Sequence, residues 1–123
     1  MAPIFSNTEA SNASAEGHLA DVLITLGDSK AALQHSLSSF AIAESLARSD
    51  PNNAEYRTGL AIAHRRVANT LIANGDAAHA LEHASAGVAI LEEMARTSQD
   101  ANLRESLERG RRVKAEIEGR HSH

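Results

Sequence analysis

Histidine is the side chain best placed to do chemistry at neutral pH, and this sequence holds seven. His79 and His83 stand four residues apart, which on a helix puts them on one face at a spacing that can ligate zinc or nickel. A hydrolytic zinc helix also needs Glu directly after the first His to act as base, and Ala80 occupies that place. His121 and His123 close the chain in a Ser-His tail that could hold a metal weakly and adventitiously. Carboxylates lie close together at Glu92-Glu93 and at Glu105 and Glu108. They sit among solvent-facing helix residues and read as intrahelical pairing and solubility. Cysteine is absent, which removes disulfides, thiolate metal sites and a thiol nucleophile together. There is no Gly-x-Ser-x-Gly, no phosphate loop and no dinucleotide fingerprint. No three groups converge as a reaction would require. The expectation is therefore no catalytic residue, no metal site and no cofactor, in a protein that is not an enzyme.

The elements that carry these residues are helical. The chain has 123 residues, enough for one domain with a real core. It holds 24 alanines, which favour helix and let helices approach closely, and its aromatic residues are Phe5, Phe40 and Tyr56. Beta-branched and aromatic runs that would read as strands are missing. With 12 basic and 16 acidic residues the net charge is −4, and no basic face stands out to attract nucleic acid. No apolar run approaches the ~20 residues of a membrane span. Met1 to Ser14 has neither the charge nor the apolar core of a secretory signal, so a cytoplasmic location is expected.

Internal repetition organises the rest. With a shift of 48 residues, Leu19–Asp50 lies over Val67–Ser98 without a gap, and 13 of 32 pairs are identical. The matches include Leu23/Leu71, Ile24/Ile72, Gly27/Gly75, Asp28/Asp76, Ala32/Ala80, His35/His83, Ile42/Ile90 and Glu44/Glu92. His79 falls opposite Ala31, so the His79/His83 pair is not a repeated device. Gly-Asp is helix-ending glycine followed by a capping aspartate. Asp50-Pro51-Asn52-Asn53 is a second kind of break, and Ser98-Gln99-Asp100 stands in its place one repeat later. These signals predict five helices, at 13–26, 29–49, 54–74, 77–97 and 101–118. Tyr56, Leu60, Ala63, Val67 and Leu71 form the expected buried stripe of the third helix, and Leu33, Leu37, Phe40 and Ala41 that of the second. The last helix interleaves Leu103, Leu107, Val113 and Ile117 with charge, as a capping helix should. Ala32 and Ala80 are expected at close helix crossings. Residues 1–12 and 119–123 are expected to be flexible around a helical domain at 13–118, unless Ile4 and Phe5 dock back.

Leu19-Ala20-x2-Leu23 with Gly27-Asp28, Ala32 and Pro51 resembles the tetratricopeptide repeat, and Val67-Ala68-x2-Leu71 with Gly75-Asp76 and Ala80 resembles it again. The resemblance covers roughly residues 15–118. It departs from the family where the usual Trp and Tyr are Glu16 and Leu23, then His64 and Leu71. His64, at a packing position of the family, is expected at the edge of the core. The period of 48 exceeds the family's 34 by about seven residues per helix, close to two turns, which keeps the buried stripe in register. Similar long-period repeats occur in large bacterial proteins, including arrays that follow serine/threonine kinase domains.

The resemblance implies an all-α fold: two antiparallel helix-turn-helix repeats plus a C-terminal capping helix, a short α-solenoid. It also implies a groove lined by the first helix of each hairpin. On the third helix that line is Ile62, Arg65, Asn69 and Ile72, and the Arg65/Asn69 pair is similar to the one with which some members grip a peptide carboxylate. Asp21 faces it from the first helix, open to pairing with Arg65, and Arg111 or Arg112 of the last helix would complete a basic wall. The implied function is a scaffold for a protein or peptide carrying an acidic group or C-terminal carboxylate, with no nucleic acid or membrane partner. The alternative is a structural unit that self-associates through its N-terminal hairpin, or part of a longer array attached to a signalling protein such as a bacterial kinase.

Overall fold

Repeated turn chemistry sets the architecture. Gly27 and Gly75 adopt positive φ of 87° and 81°, a region open to glycine because it has no Cβ. In both turns the chain closes the same way. Asp28 N–H donates to Leu23 O and Asp76 N–H to Leu71 O, each at 2.9 Å, while each glycine N–H donates to the carbonyl three residues back at 3.0 Å. The aspartates then cap the next helices: Asp28 accepts from Ala31 N–H and Asp76 from His79 N–H, both at 3.1 Å. Asn53 does the same for Tyr56 N–H after the Pro51 break.

The structure, a computed structural model, describes residues 6–121, with side chains from 12 to 119. Five helices follow in order: α1 Ser6–Thr25, α2 Ser29–Ser49, α3 Ala54–Ala73, α4 Ala77–Ala95 and α5 Ala101–His121. No strand occurs among the described residues. The fold is all-α, with adjacent helices packed in a helical-repeat arrangement. Each helix packs on its sequence neighbours, α3 also touches α1 and α5, and α2 and α4 share no packed backbone interface, meeting where Phe40 reaches His83. None of the helices is long and apolar enough to cross a membrane.

Two boundaries differ from expectation. Helix α1 begins at Ser6, so residues 6–12 continue the helix. Helix α5 runs to His121 past the expected end at residue 118. Ile4, Phe5 and His123 lie outside the described residues.

The core is concentrated where α3, α4 and α5 meet. One cluster joins Ala61, Val88, Leu91, Leu103 and Leu107; a second joins Ala68, Ala80, Ala84 and Ile117. Ala20, Ala32, Ala68 and Ala80 are fully buried, so the expected close crossings at Ala32 and Ala80 are present. The buried face of α2 is a correction. It consists of Ala32, Ser36, Ser39, Ala43 and Leu46, while Leu37 and Ala41 are exposed. Serine is buried here because each hydroxyl is satisfied. Ser36 Oγ donates to Leu33 O at 3.0 Å and lies 2.8 Å from Thr70 Oγ1, and Ser39 Oγ donates to Ala13 O at 2.7 Å.

Glycine takes this close packing to its limit at Gly87. A Cβ there would stand 2.9 Å from Ala61 O and 3.2 Å from His64 Cβ, whereas one at Gly59 meets nothing within 4 Å. Helix propensity favours Ala over Gly by about 1 kcal/mol at either site. Overpacking costs about 1–3 kcal/mol. Gly87→Ala should therefore destabilise the fold and Gly59→Ala should stabilise it, read as opposite shifts of the urea midpoint. Shifts of the same sign would show that the α3–α4 crossing is looser than described.

Candidate functional site

Three helices share one face. With α1 on one side of α3 and α5 on the other, side chains from all three can meet. Between α3, the end of α4 and α5 lies a cleft of about 580 Å³, lined by Thr58, Gly59, Ile62, Met94, Leu103 and Ser106. A smaller cleft of about 170 Å³ lies where α3 meets α1 and α2, lined by Ala13, Ser39, Tyr56, Gly59, Ile62 and Arg66. Gly59 and Ile62 border both, and Gly59 carries no side chain to separate them.

Arg65 sits next along this face. It is half-buried and lines a narrow crevice with Ser106 and Gly110 of α5. Among the described residues no carboxylate lies within ion-pair distance of it. Burial, then the neighbouring cations Arg66 and Arg109, push its guanidinium pKa down, and Asp21 pulls it partly back. A guanidinium keeps its charge at neutral pH, so this one is under-compensated. Further along, Asn69 and Ile72 line a shallow cleft with Val113, Glu116 and Ile117.

The structure thus brings Ile62, Arg65, Asn69 and Ile72 to one face, and reassigns their expected neighbours. Asp21 pairs with Arg66, at 3.4 Å, instead of Arg65. Gly17 makes room for this: a Cβ there would stand 2.3 Å from Arg66 Nη1, so the guanidinium lies against bare α1 backbone. Arg111 pairs with Glu92 of α4 at 3.1 Å, on the α4 flank of α5 away from α3. Arg112 is exposed and lines none of these clefts. The α5 cation that acts on Arg65 is Arg109, itself 2.6 Å from Glu105. Helical spacing could have found it, since Ser106, Arg109 and Val113 follow at three and four residues on the flank facing α3.

His79 and His83, which helical spacing puts on one face, engage different partners. His79 Nδ1 lies 2.7 Å from Asp76 Oδ2, and with the His79 N–H it holds that carboxyl below its ordinary range. His83 turns the other way, and its Nδ1 is 3.0 Å from His64 Nδ1. Phe40 meets both rings edge-on, at centroid distances of 4.7 and 5.3 Å. Burial, and then His83, push the His64 pKa down to about 4. Burial also lowers His83, with Glu82 pulling it back up and His79 adding to the fall. The equivalent pair one repeat earlier, 48 residues back, is Glu16 and His35, at 2.5 Å. No cluster of three or more metal-ligating side chains occurs among the described residues.

No family model, no curated protein and no solved structure matches this chain.

The histidine pair fixes a pH dependence. A ring whose pKa is lower folded than unfolded binds its proton more readily in the unfolded chain. His64 therefore takes nothing from stability above its ordinary value of 6.5 and takes progressively more as pH falls from there to about 4. Melting temperature should decline across that window, and His64→Phe, which keeps an aromatic ring against Phe40, should make the decline shallower. An identical acid limb in the variant would show that other groups control it.

Proposed function

We propose that this chain is a non-catalytic scaffold of the tetratricopeptide type, and that it holds an extended peptide with an acidic group across the face lined by α1, α3 and α5. The observation that carries the reading is Arg65: half-buried, central on that face, and without an acidic partner among the described residues. A carboxylate arriving there gains a charge-assisted hydrogen bond and relieves the repulsion that Arg66 and Arg109 impose. Asn69, one turn on and exposed, offers an amide to a peptide backbone.

The apolar part of the ligand has a place beside it. Ile62, Met94 and Leu103 line the larger cleft, which suits small apolar side chains of the same peptide. Gly59 lets a ligand backbone cross α3 from one cleft to the other. The same face offers no array of nucleophile, base and oxyanion donors, which favours a binding role over an enzymatic one.

The test is affinity capture from the source cell with mass spectrometry, followed by titration of the recovered segment as a synthetic peptide. Arg65→Glu should weaken binding at least tenfold, about 1.4 kcal/mol, and leave helicity unchanged because Glu is a good helix former. Wild-type affinity should fall with added salt, since exposed charges are screened within ~10 Å at 0.1 M. Gly59→Leu should weaken binding by obstructing the groove without altering charge. Equal binding by the Arg65→Glu protein at low salt would move the site to another surface.

A further inference from the structure

Helix α1 is built inside out. Its buried residues are the small ones, Ala13, Gly17 and Ala20. Its Leu19 and Val22 point to solvent, 42% and 52% exposed, as does Leu26 in the turn that follows, at 74%, while Leu23 and Ile24 are half-buried. With exposed Ala15, the line of Leu19, Val22 and Leu26 follows at steps of four, three and four, the spacing of a helix–helix seam. Exposed residues of this size in one line mark a contact surface.

The repeat shows what kind of contact it is not. The equivalents of Ala15, Leu19, Val22 and Leu26 on α3, 48 residues on, are Ala63, Val67, Thr70 and Asn74. The first three are buried, and Thr70 and Asn74 bond to α2: Thr70 Oγ1 to Ser36 Oγ and Asn74 Nδ2 to Ser29 O, both at 2.8 Å. A face made to receive a preceding repeat helix of this type carries polar groups that bond to it. On α1 those positions are Val22 and Leu26, which can make no such bond. From Ala15 to Leu26 the line is apolar, as a symmetric seam between two copies of one helix is, and it ends upstream at exposed Asn12.

The surroundings agree with self-pairing. His18, Leu23 and Thr25 flank the line, and the neighbouring carboxylates are engaged, Glu16 with His35, Asp21 with Arg66 and Asp28 with the Ala31 N–H, which limits like-charge repulsion between two copies. The other end of the molecule offers no match. The outer face of α5 carries exposed Arg104, Glu105, Glu108 and Arg112, which disfavours head-to-tail stacking and leaves front-to-front pairing.

We propose that two copies of this chain associate through α1, with Leu19 and Val22 at the centre of a two-fold contact. The face lies on the N-terminal hairpin but is distinct from the α2 line of Leu33, Leu37 and Phe40, of which Leu33 and Phe40 are half-buried. The proposal is independent of the peptide groove.

Sedimentation of the full chain over a roughly thousand-fold range of concentration should show conversion from monomer to dimer. Leu19→Glu and Val22→Glu should each weaken that association at least tenfold while leaving the helical circular dichroism intact, because both positions are solvent-exposed in the monomer. The chain has no cysteine, so Val22→Cys introduces a single one. A short bis-maleimide should join two such chains, and should not join chains carrying Ala89→Cys on an exposed position of α4. A monomer throughout the range overturns the proposal. So does a dimer that both glutamates leave unchanged, or a chain that stays monomeric alone and uses this face for another protein or for a vesicle.

Discussion

The crossings among α1, α2, α3 and α4 are made largely of side chains with no more than three heavy atoms. Ala20, Ala32, Ala68 and Ala80 are fully buried, Gly87 lies within reach of the α3 backbone, and Ser36, Ser39 and Thr70 fill the remaining crossings. Small side chains let backbones approach, and close approach brings carbonyls such as Ala13 O within reach of a neighbouring hydroxyl. The arrangement depends on this constraint. It sets how near α1, α3 and α5 stand to one another, and so which side chains reach across the face they share. It also excludes large residues from the crossings, which is why Leu19 and Val22 of α1 lie outside.

That exclusion separates what the sequence makes legible from what it hides. The Gly-Asp turns could be read directly, because positive φ and helix capping each demand particular residue types, and the two copies match. Helix number and order followed from them. The buried face of α2 could not be read, since hydrophobicity points to Leu37 while the crossing admits serine. The same error in reverse concealed α1, whose Leu19 and Val22 look like core by composition and face water in the fold.

The candidate site was half legible for a related reason. Periodicity placed Ile62, Arg65, Asn69 and Ile72 on one face, since that follows from helix geometry alone. Partner choice across helices does not. Arg65 and Arg66 are sequence neighbours about 100° apart around α3, and the absence of a side chain at Gly17 decides which one reaches Asp21. Likewise Arg109 and Arg111 sit on opposite flanks of α5, and which flank meets α3 is set by how Leu103, Leu107 and Ile117 seat on α4. The histidine pair shows the same effect in charge: equivalent positions hold Glu16 with His35 and His64 with His83, one geometry with two electrostatic characters.

The lack of a packed interface between α2 and α4, which meet through the Phe40 and His83 rings, has a consequence for how the chain acquires its structure. Every helix finds its largest interfaces with the segments immediately before and after it in the chain, so little loop entropy is lost before contacts form. Order can begin at any hairpin and spread to its neighbour, as in a row of coupled units. The α3–α4–α5 junction, where both apolar clusters lie, is the natural place for it to begin. Structure then propagates toward α1, whose inward residues are small and which packs closely on α2, tied by the Ser39 contact and the Glu16–His35 pair, and on α3 by Arg66. The apolar core is thus graded along the chain, concentrated at the C-terminal end, with alanine, glycine and polar contacts joining α1 at the other.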